Sequence, residues 1–145
     1  MTKTIVGYYG SELNKFVDEK CSREMTAINI DLIIYKSSKS SIMIIESKHT
    51  NEKMGKGQLK LLKLLADSSE LIAKAIGLST NRKFNFDVYV IIGDYPYDRS
   101  KIIRLKDKKS VVVNQLELIN FLEFNTDFEI LFNLEEPSRE LCLEV

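Results

Sequence analysis

Residues 42–58 read IMIIESKHTNEKMGKGQ. Four consecutive apolar residues stop abruptly at Glu46, Ser47 and Lys48. A short apolar run bounded by polar residues reads as a buried strand. Alternate residues of a strand share a face, so Glu46 and Lys48 point together. An acid and a base at the end of a buried strand are either an ordinary ion pair or half of an active site. The polar stretch that follows gives way to a helical pattern, so the segment also fixes a strand-then-helix order.

Working outward, residues 28–36 (INIDLIIYK) read as a strand that precedes this one, across a loop of small polar residues, SSKSS. Upstream, Ser11 can cap a short helix running to about Cys21, with Leu13, Phe16 and Val17 as its apolar side. Downstream, the pattern is helical from about Lys53 to Gly77, where glycine is a plausible stop. FDVYVIIGDYP at 86–96 is a third strong strand ending in turn chemistry. KIIRLKD and KSVVV read as shorter strands, and NQLELINFLEF at 114–124 reads as a helix. The tail after Glu129 carries no clear pattern. The order predicts an α/β fold, a mixed sheet with helices against it.

The chain has 145 residues, without internal repeats or a Pro/Gly-rich linker, and reads as one domain over 1–145. With 44% hydrophobic and 29% charged residues, the balance is that of an ordinary globular protein. The charges cancel, 21 basic against 21 acidic. Neutrality gives no general attraction to nucleic acid, so a nucleic-acid reading requires a local basic stripe. Cys21 and Cys142 are the only cysteines and lack metal-ligand spacing, which fits free thiols in a reducing compartment. The first residues lack a signal peptide's apolar core, and no apolar run approaches the roughly 20 residues of a membrane span. The expectation is a cytoplasmic protein with no membrane partner.

A hairpin loop centred between Ser38 and Lys39 places Asp31 directly opposite Glu46. Opposed residues share a face with Cβ atoms roughly 5 Å apart. Two carboxylates and the Lys48 amine then converge on one face. A slip of one residue would scatter them. Like charges opposed across a hairpin destabilise it, and a buried carboxylate is costly unless it is paired or metal-bound. Either Lys48 alone compensates in a structural triad, or a divalent cation bridges the carboxylates. Mg²⁺ takes oxygen ligands, often one or two carboxylates with waters and substrate phosphate. The Ser47 backbone carbonyl could add a further oxygen. Lys48 could orient or help deprotonate a water, or stabilise charge growing on a phosphate.

The helix adds a second pattern. At 100° per residue, Lys53, Lys56, Lys60 and Lys63 fall within about 80° of one another. This stripe is either a solvated face or a contact to a phosphate backbone. Leu61, Leu62, Leu65, Ile72 and Ile76 mark a different face. Gln58 projects among these apolar residues, where it needs hydrogen-bond partners unless the helix start is frayed. His49 should face away from Lys48, as a surface or phosphate-contacting residue. With no second histidine, a zinc cluster is not expected. No phosphate-binding G-x-x-x-x-G-K-[ST] loop is present, since GKGQ is too short.

Asp31, a hairpin loop and then Glu46-Ser47-Lys48 resemble the PD-(D/E)XK nuclease motif. Gln58 resembles the glutamine that accompanies this motif in several families of that superfamily. The resemblance covers roughly residues 10–65, including the helix–strand–strand–helix order. It implies a restriction-endonuclease-like core and hydrolysis of DNA or RNA phosphodiesters with Mg²⁺ or Mn²⁺. By the resemblance, Asp31 and Glu46 are metal ligands and Lys48 is the catalytic lysine. Many members add a glutamate from the first helix, for which Glu12 is preferred here, ahead of Glu19 and Glu24. Gly10-Ser11-Glu12 also resembles the helix start of archaeal Holliday-junction resolvases. The chain departs from the pattern in two places. Asn29 and Ile30 stand where a proline often precedes the aspartate, and Leu62 stands where a tyrosine can follow the glutamine by four.

The expected function is a metal-dependent nuclease, more structure-selective or nonspecific than sequence-specific, with nucleic acid, DNA first, as partner. The apolar C-terminal region could support a homodimer. The alternative is a catalytically silent nuclease-fold module that binds nucleic acid or another protein.

Overall fold

The computed structural model describes residues 12–22, 30–53 and 55–134. Ser11, Cys142 and residues 23–29, which include Glu24 and the first two positions of the expected 28–36 strand, lie outside them. The elements run α1 (Glu12–Lys20), β1 (Leu32–Lys36), a 3-10 turn (Ser37–Lys39), β2 (Ser41–Lys48), α2 (Lys56–Asp67) and α3 (Ser69–Thr80). They continue as β3 (Asn85–Gly93), β4 (Arg99–Arg104), β5 (Lys109–Asn114), α4 (Gln115–Leu122) and α5 (Phe128–Leu134). The strands form one five-stranded mixed sheet in the order β1-β2-β3-β4-β5. Among the described strands only β2 and β3 pair in parallel. The α2–α3 segment makes the long crossover that a parallel pair requires.

Both faces of the sheet are covered, which explains the unbroken apolar run in β2. On one face Ile44, Val88 and Val90 pack with Leu62 and Ala66 of α2. On the other, Met43, Ile45, Tyr89, Ile91 and Ile102 pack with Leu118 and Phe121 of α4 and with Phe128 and Leu131 of α5. Helix α5 thus gives structure to a stretch whose sequence carries no clear signal.

One expectation is corrected. The single helix from Lys53 to Gly77 is two helices that break at Ser68 (φ −97, ψ 5). Asp67, Ser68 and Ser69 compete for backbone hydrogen bonds and weaken a helix interior. The Ser68 N–H is shared between the Leu64 and Leu65 carbonyls. The apolar residues of the C-terminal region are divided between the core and the surface. Val111, Val113, Leu118 and Phe121 are consumed by the chain's own core, with Leu116 and Ile119 left exposed. Helix α1 forms as expected, but Leu13 and Phe16 are exposed.

The end of α3 depends on a close backbone approach. The Arg82 N–H donates to the Gly77 carbonyl at 3.1 Å. A Cβ at Gly77 would stand 2.7 Å from the Arg82 carbonyl oxygen. Gly77→Ala is therefore expected to destabilise the fold by about 1–3 kcal/mol, measured by denaturant unfolding. An unchanged midpoint would contradict this account of the α3–β3 connection.

Candidate functional site

The β1–β2 hairpin has the register that opposes Asp31 to Glu46. Leu32 pairs with Ile45, Ile33 with Ile44 and Ile34 with Met43. Asp31 lies just before β1, one step beyond the last ladder pair. There its Oδ2 accepts the Ser47 N–H at 2.9 Å. The side chain replaces the strand backbone as acceptor and fixes the carboxylate beside β2. A strand residue's N–H and C=O point to the same side, so the Ser47 carbonyl is directed toward Asp31 as well.

Glu46 is 1% exposed, at the end of the face that holds Ile44. Its Oε1 lies 3.5 Å from the Lys48 Nζ. Its Oε2 is buried without a hydrogen-bond partner. Burial and the adjacent Asp31 carboxyl, within reach to share a proton, outweigh the attraction of Lys48. Together they push the Glu46 carboxyl up to about 7. At neutral pH the group is poised between a protonated acid and a carboxylate that needs a second cation.

Lys48 is held from two sides. Its Nζ lies 3.6 Å from Glu52 Oε2, while Glu52 Oε1 accepts the His49 N–H at 2.9 Å. That backbone hydrogen bond holds the Glu52 carboxyl below its ordinary range. Beside it, Asp94 follows β3 and ties the two parallel strand ends together. It accepts from Thr50 Oγ1 at 2.9 Å and from the Thr50 N–H at 3.3 Å, and pairs with His49 Nδ1 at 3.2 Å. The hydrogen bonds from Thr50 hold the Asp94 carboxyl below its ordinary range. The constellation thus sits at the carboxyl ends of β2 and β3, where open α/β sheets commonly carry ligands.

Glu52 and Asp94 were not singled out from the sequence. The i, i+4 spacing of Lys48 and Glu52 was the available signal. Asp94 had none, because its relation to β2 depends on the parallel β2–β3 register.

The other candidate residues are placed as follows. Gln58 is half-buried on the side of α2 that carries Leu62 and Leu65, on the sheet face of Glu46. Among the described residues no hydrogen bond joins it to Asp31 or Glu46. Lys56, Lys60 and Lys63 are exposed on the opposite side of α2, and Lys53 is exposed in the loop before it. Glu12 and Glu19 are exposed on α1, and among the described residues neither joins Asp31 or Glu46. No group of three or more potential metal-ligating side chains forms among the described residues. Two carboxylates, one carrying an orphaned buried oxygen, still fit an ion such as Mg²⁺ that takes few protein ligands.

The chain matches no family model, no curated protein and no solved structure.

The folded-state value of Glu46, about 7, lies above its ordinary value of 4.5. The folded state therefore binds the extra proton, and stability falls as pH rises from about 4.5 to about 7. The cost at high pH is on the order of 3 kcal/mol. Glu46→Gln should flatten this dependence and raise stability above pH of about 7 in metal-free buffer. Urea unfolding of both proteins across that range measures it. A variant that keeps the wild-type slope would refute the assignment to Glu46.

Proposed function

We propose that this chain is a metal-dependent nuclease with a restriction-endonuclease-like site, hydrolysing phosphodiester bonds of nucleic acid, DNA first. One observation carries the reading: the buried Glu46 carboxylate, with one oxygen unpartnered, beside Asp31 and in contact with Lys48. A buried carboxylate with an unpartnered oxygen is costly without a cation, and the exposed Asp31 carboxyl beside it, one of whose oxygens is held by the Ser47 N–H, adds a second acid to the same place.

Asp31 and Glu46 would hold Mg²⁺ or Mn²⁺, with the Ser47 carbonyl as a further oxygen. When bound, the ion supplies a Lewis acid for the phosphate and acidifies an attacking water. Lys48 stabilises charge growing on the phosphate and orients the water. Glu52 positions Lys48 from the far side, so the ammonium stays over the site after Glu46 turns to a cation. Gln58, on the same sheet face, supports the water. The outward lysines Lys53, Lys56, Lys60 and Lys63 contact the nucleic-acid backbone at a distance from the cut. Glu12 completes the ligand set only if α1 docks on the substrate-bound form.

A second reading rests on the position of Lys48 between Glu46 and Glu52. There the three charges form a structural network in a module that binds without cutting.

The deciding experiment is cleavage of single-stranded, duplex and four-way-junction DNA and of RNA, with Mg²⁺, Mn²⁺ or EDTA. Wild type should give products only with metal, and Lys48→Ala should lose roughly 100-fold or more. Mg²⁺ should raise the Tm of wild type and leave that of Glu46→Gln unchanged. Folded protein that yields no product with either metal, and no metal-dependent Tm shift, selects the network reading.

A further inference from the structure

Strands β4 and β5 have one covered face and one open one. Ile102, Arg104, Val111 and Val113 point toward α4 and α5 and are buried. Lys101, Ile103, Ser110 and Val112 alternate with them, point the other way and are only half-buried. On that side α2 and α3 pack over β3, which leaves these four side chains partly open to solvent.

The open face is continuous with the Glu46 site. Lys48 stands in register with Ile92, Ile92 with Lys101 and Lys101 with Val112. Residues in register on neighbouring strands share a face. Lys48 and Lys101 therefore occupy one row, two strand spacings or roughly 10 Å apart. Lys48 is held by Glu46 and Glu52. Among the described residues Lys101 has no carboxylate partner. The row leads from the proposed cutting site to an unmatched ammonium.

A fixed aromatic ring stands at the same end of the sheet. The turn from β3 to β4 carries Tyr95, which is 88% exposed. The turn is anchored on both sides of this residue. Asp94 binds Thr50 beside the site, and its carbonyl accepts the Tyr97 N–H at 2.7 Å. Gln115 Nε2 donates to the Pro96 carbonyl at 2.9 Å. Tyr97 packs on the α4–α5 core, and its ring meets that of Tyr95 edge-on at 6.4 Å between centroids. A single exposed apolar side chain is ordinary. This one is pre-positioned beside an acid–lysine site and an unmatched lysine.

We propose that this end of the sheet takes a single strand of nucleic acid, with an unpaired base stacked on Tyr95 and the backbone held by Lys101. The proposal rests on the nuclease reading and names its substrate. Phosphates supply the negative charge that Lys101 lacks. Stacking on a side chain needs a free base face, and within a duplex both faces are covered by neighbouring pairs. The occupant is a single-stranded segment, tail or loop rather than continuous duplex.

Fluorescence anisotropy of the full chain in EDTA, where nothing is cut, tests it with a short labelled oligothymidylate and a duplex of the same length. The single strand should bind at least about tenfold more tightly than the duplex. Tyr95→Ala should lose at least about tenfold on the single strand and leave the duplex unchanged, while Tyr95→Phe keeps the ring and binds as wild type. Lys101→Ala should lower the slope of log affinity against log salt by about 0.7. Lys74→Ala, exposed on α3, is the control and should change neither. Equal affinity for single strand and duplex, undiminished single-strand binding by Tyr95→Ala, or an unchanged salt slope in Lys101→Ala overturns the proposal. The expected binding pattern with no product in Mg²⁺ or Mn²⁺ refutes the cutting and leaves the strand-binding surface. Metal-dependent cutting of duplex as readily as of single strand refutes the surface and leaves the cutting.

Discussion

Strand β2 is hydrogen-bonded along both edges and covered on both faces. Polar groups buried within it cannot turn to water and must be satisfied by the protein or by something the protein binds. Ser41 at its start meets this demand by donating to the Lys39 carbonyl at 2.8 Å. Glu46 near its end does not, because one oxygen has an ammonium and the other is buried with no hydrogen bond. The contrast between these two buried polar residues singles out the carboxyl end of the strand as the place where chemistry is expected.

Much of that end was legible in the sequence. The apolar run 42–45 fixed a buried strand, and the SSKSS loop was short enough to determine the hairpin register. From the register alone, Asp31 and Glu46 meet. The parallel β2–β3 pairing was beyond reach, since parallel neighbours are joined by a long crossover and share no local turn signal. Asp94 and its grip on Thr50 were hidden with it. The break at Ser68 was overlooked because the apolar periodicity runs through it, and the weak Asp-Ser-Ser sequence is visible only to a propensity argument. Helix α5 was missed for the opposite reason. Its apolar residues acquire direction from the core they cover, not from a strong pattern of their own.

The charges of this neutral chain are sorted by position. Lys56, Lys60 and Lys63 occupy the outer side of α2, while the acids that matter most are Asp31 and Glu46 on the sheet. Arg104 shows how the fold normally resolves a buried charge. It is held by two carboxylates and a ring, and those contacts raise its already high pKa. Glu46 lacks a comparable set of partners.

Asp31 stands at the root of β1, the outermost strand of the described sheet, whose Leu32, Ile33 and Tyr35 are exposed. Glu46 belongs to the most enclosed strand. The two halves of the site therefore have different local stabilities, because edge strands open at lower free energy than core strands. Each fraying of β1 removes Asp31 and leaves Glu46 alone with Lys48. Any ligand that needs both acids is bound only by the closed fraction, and its apparent affinity is reduced by that fraction. A substrate or partner that pins β1 would thus tighten cation binding without touching the cation.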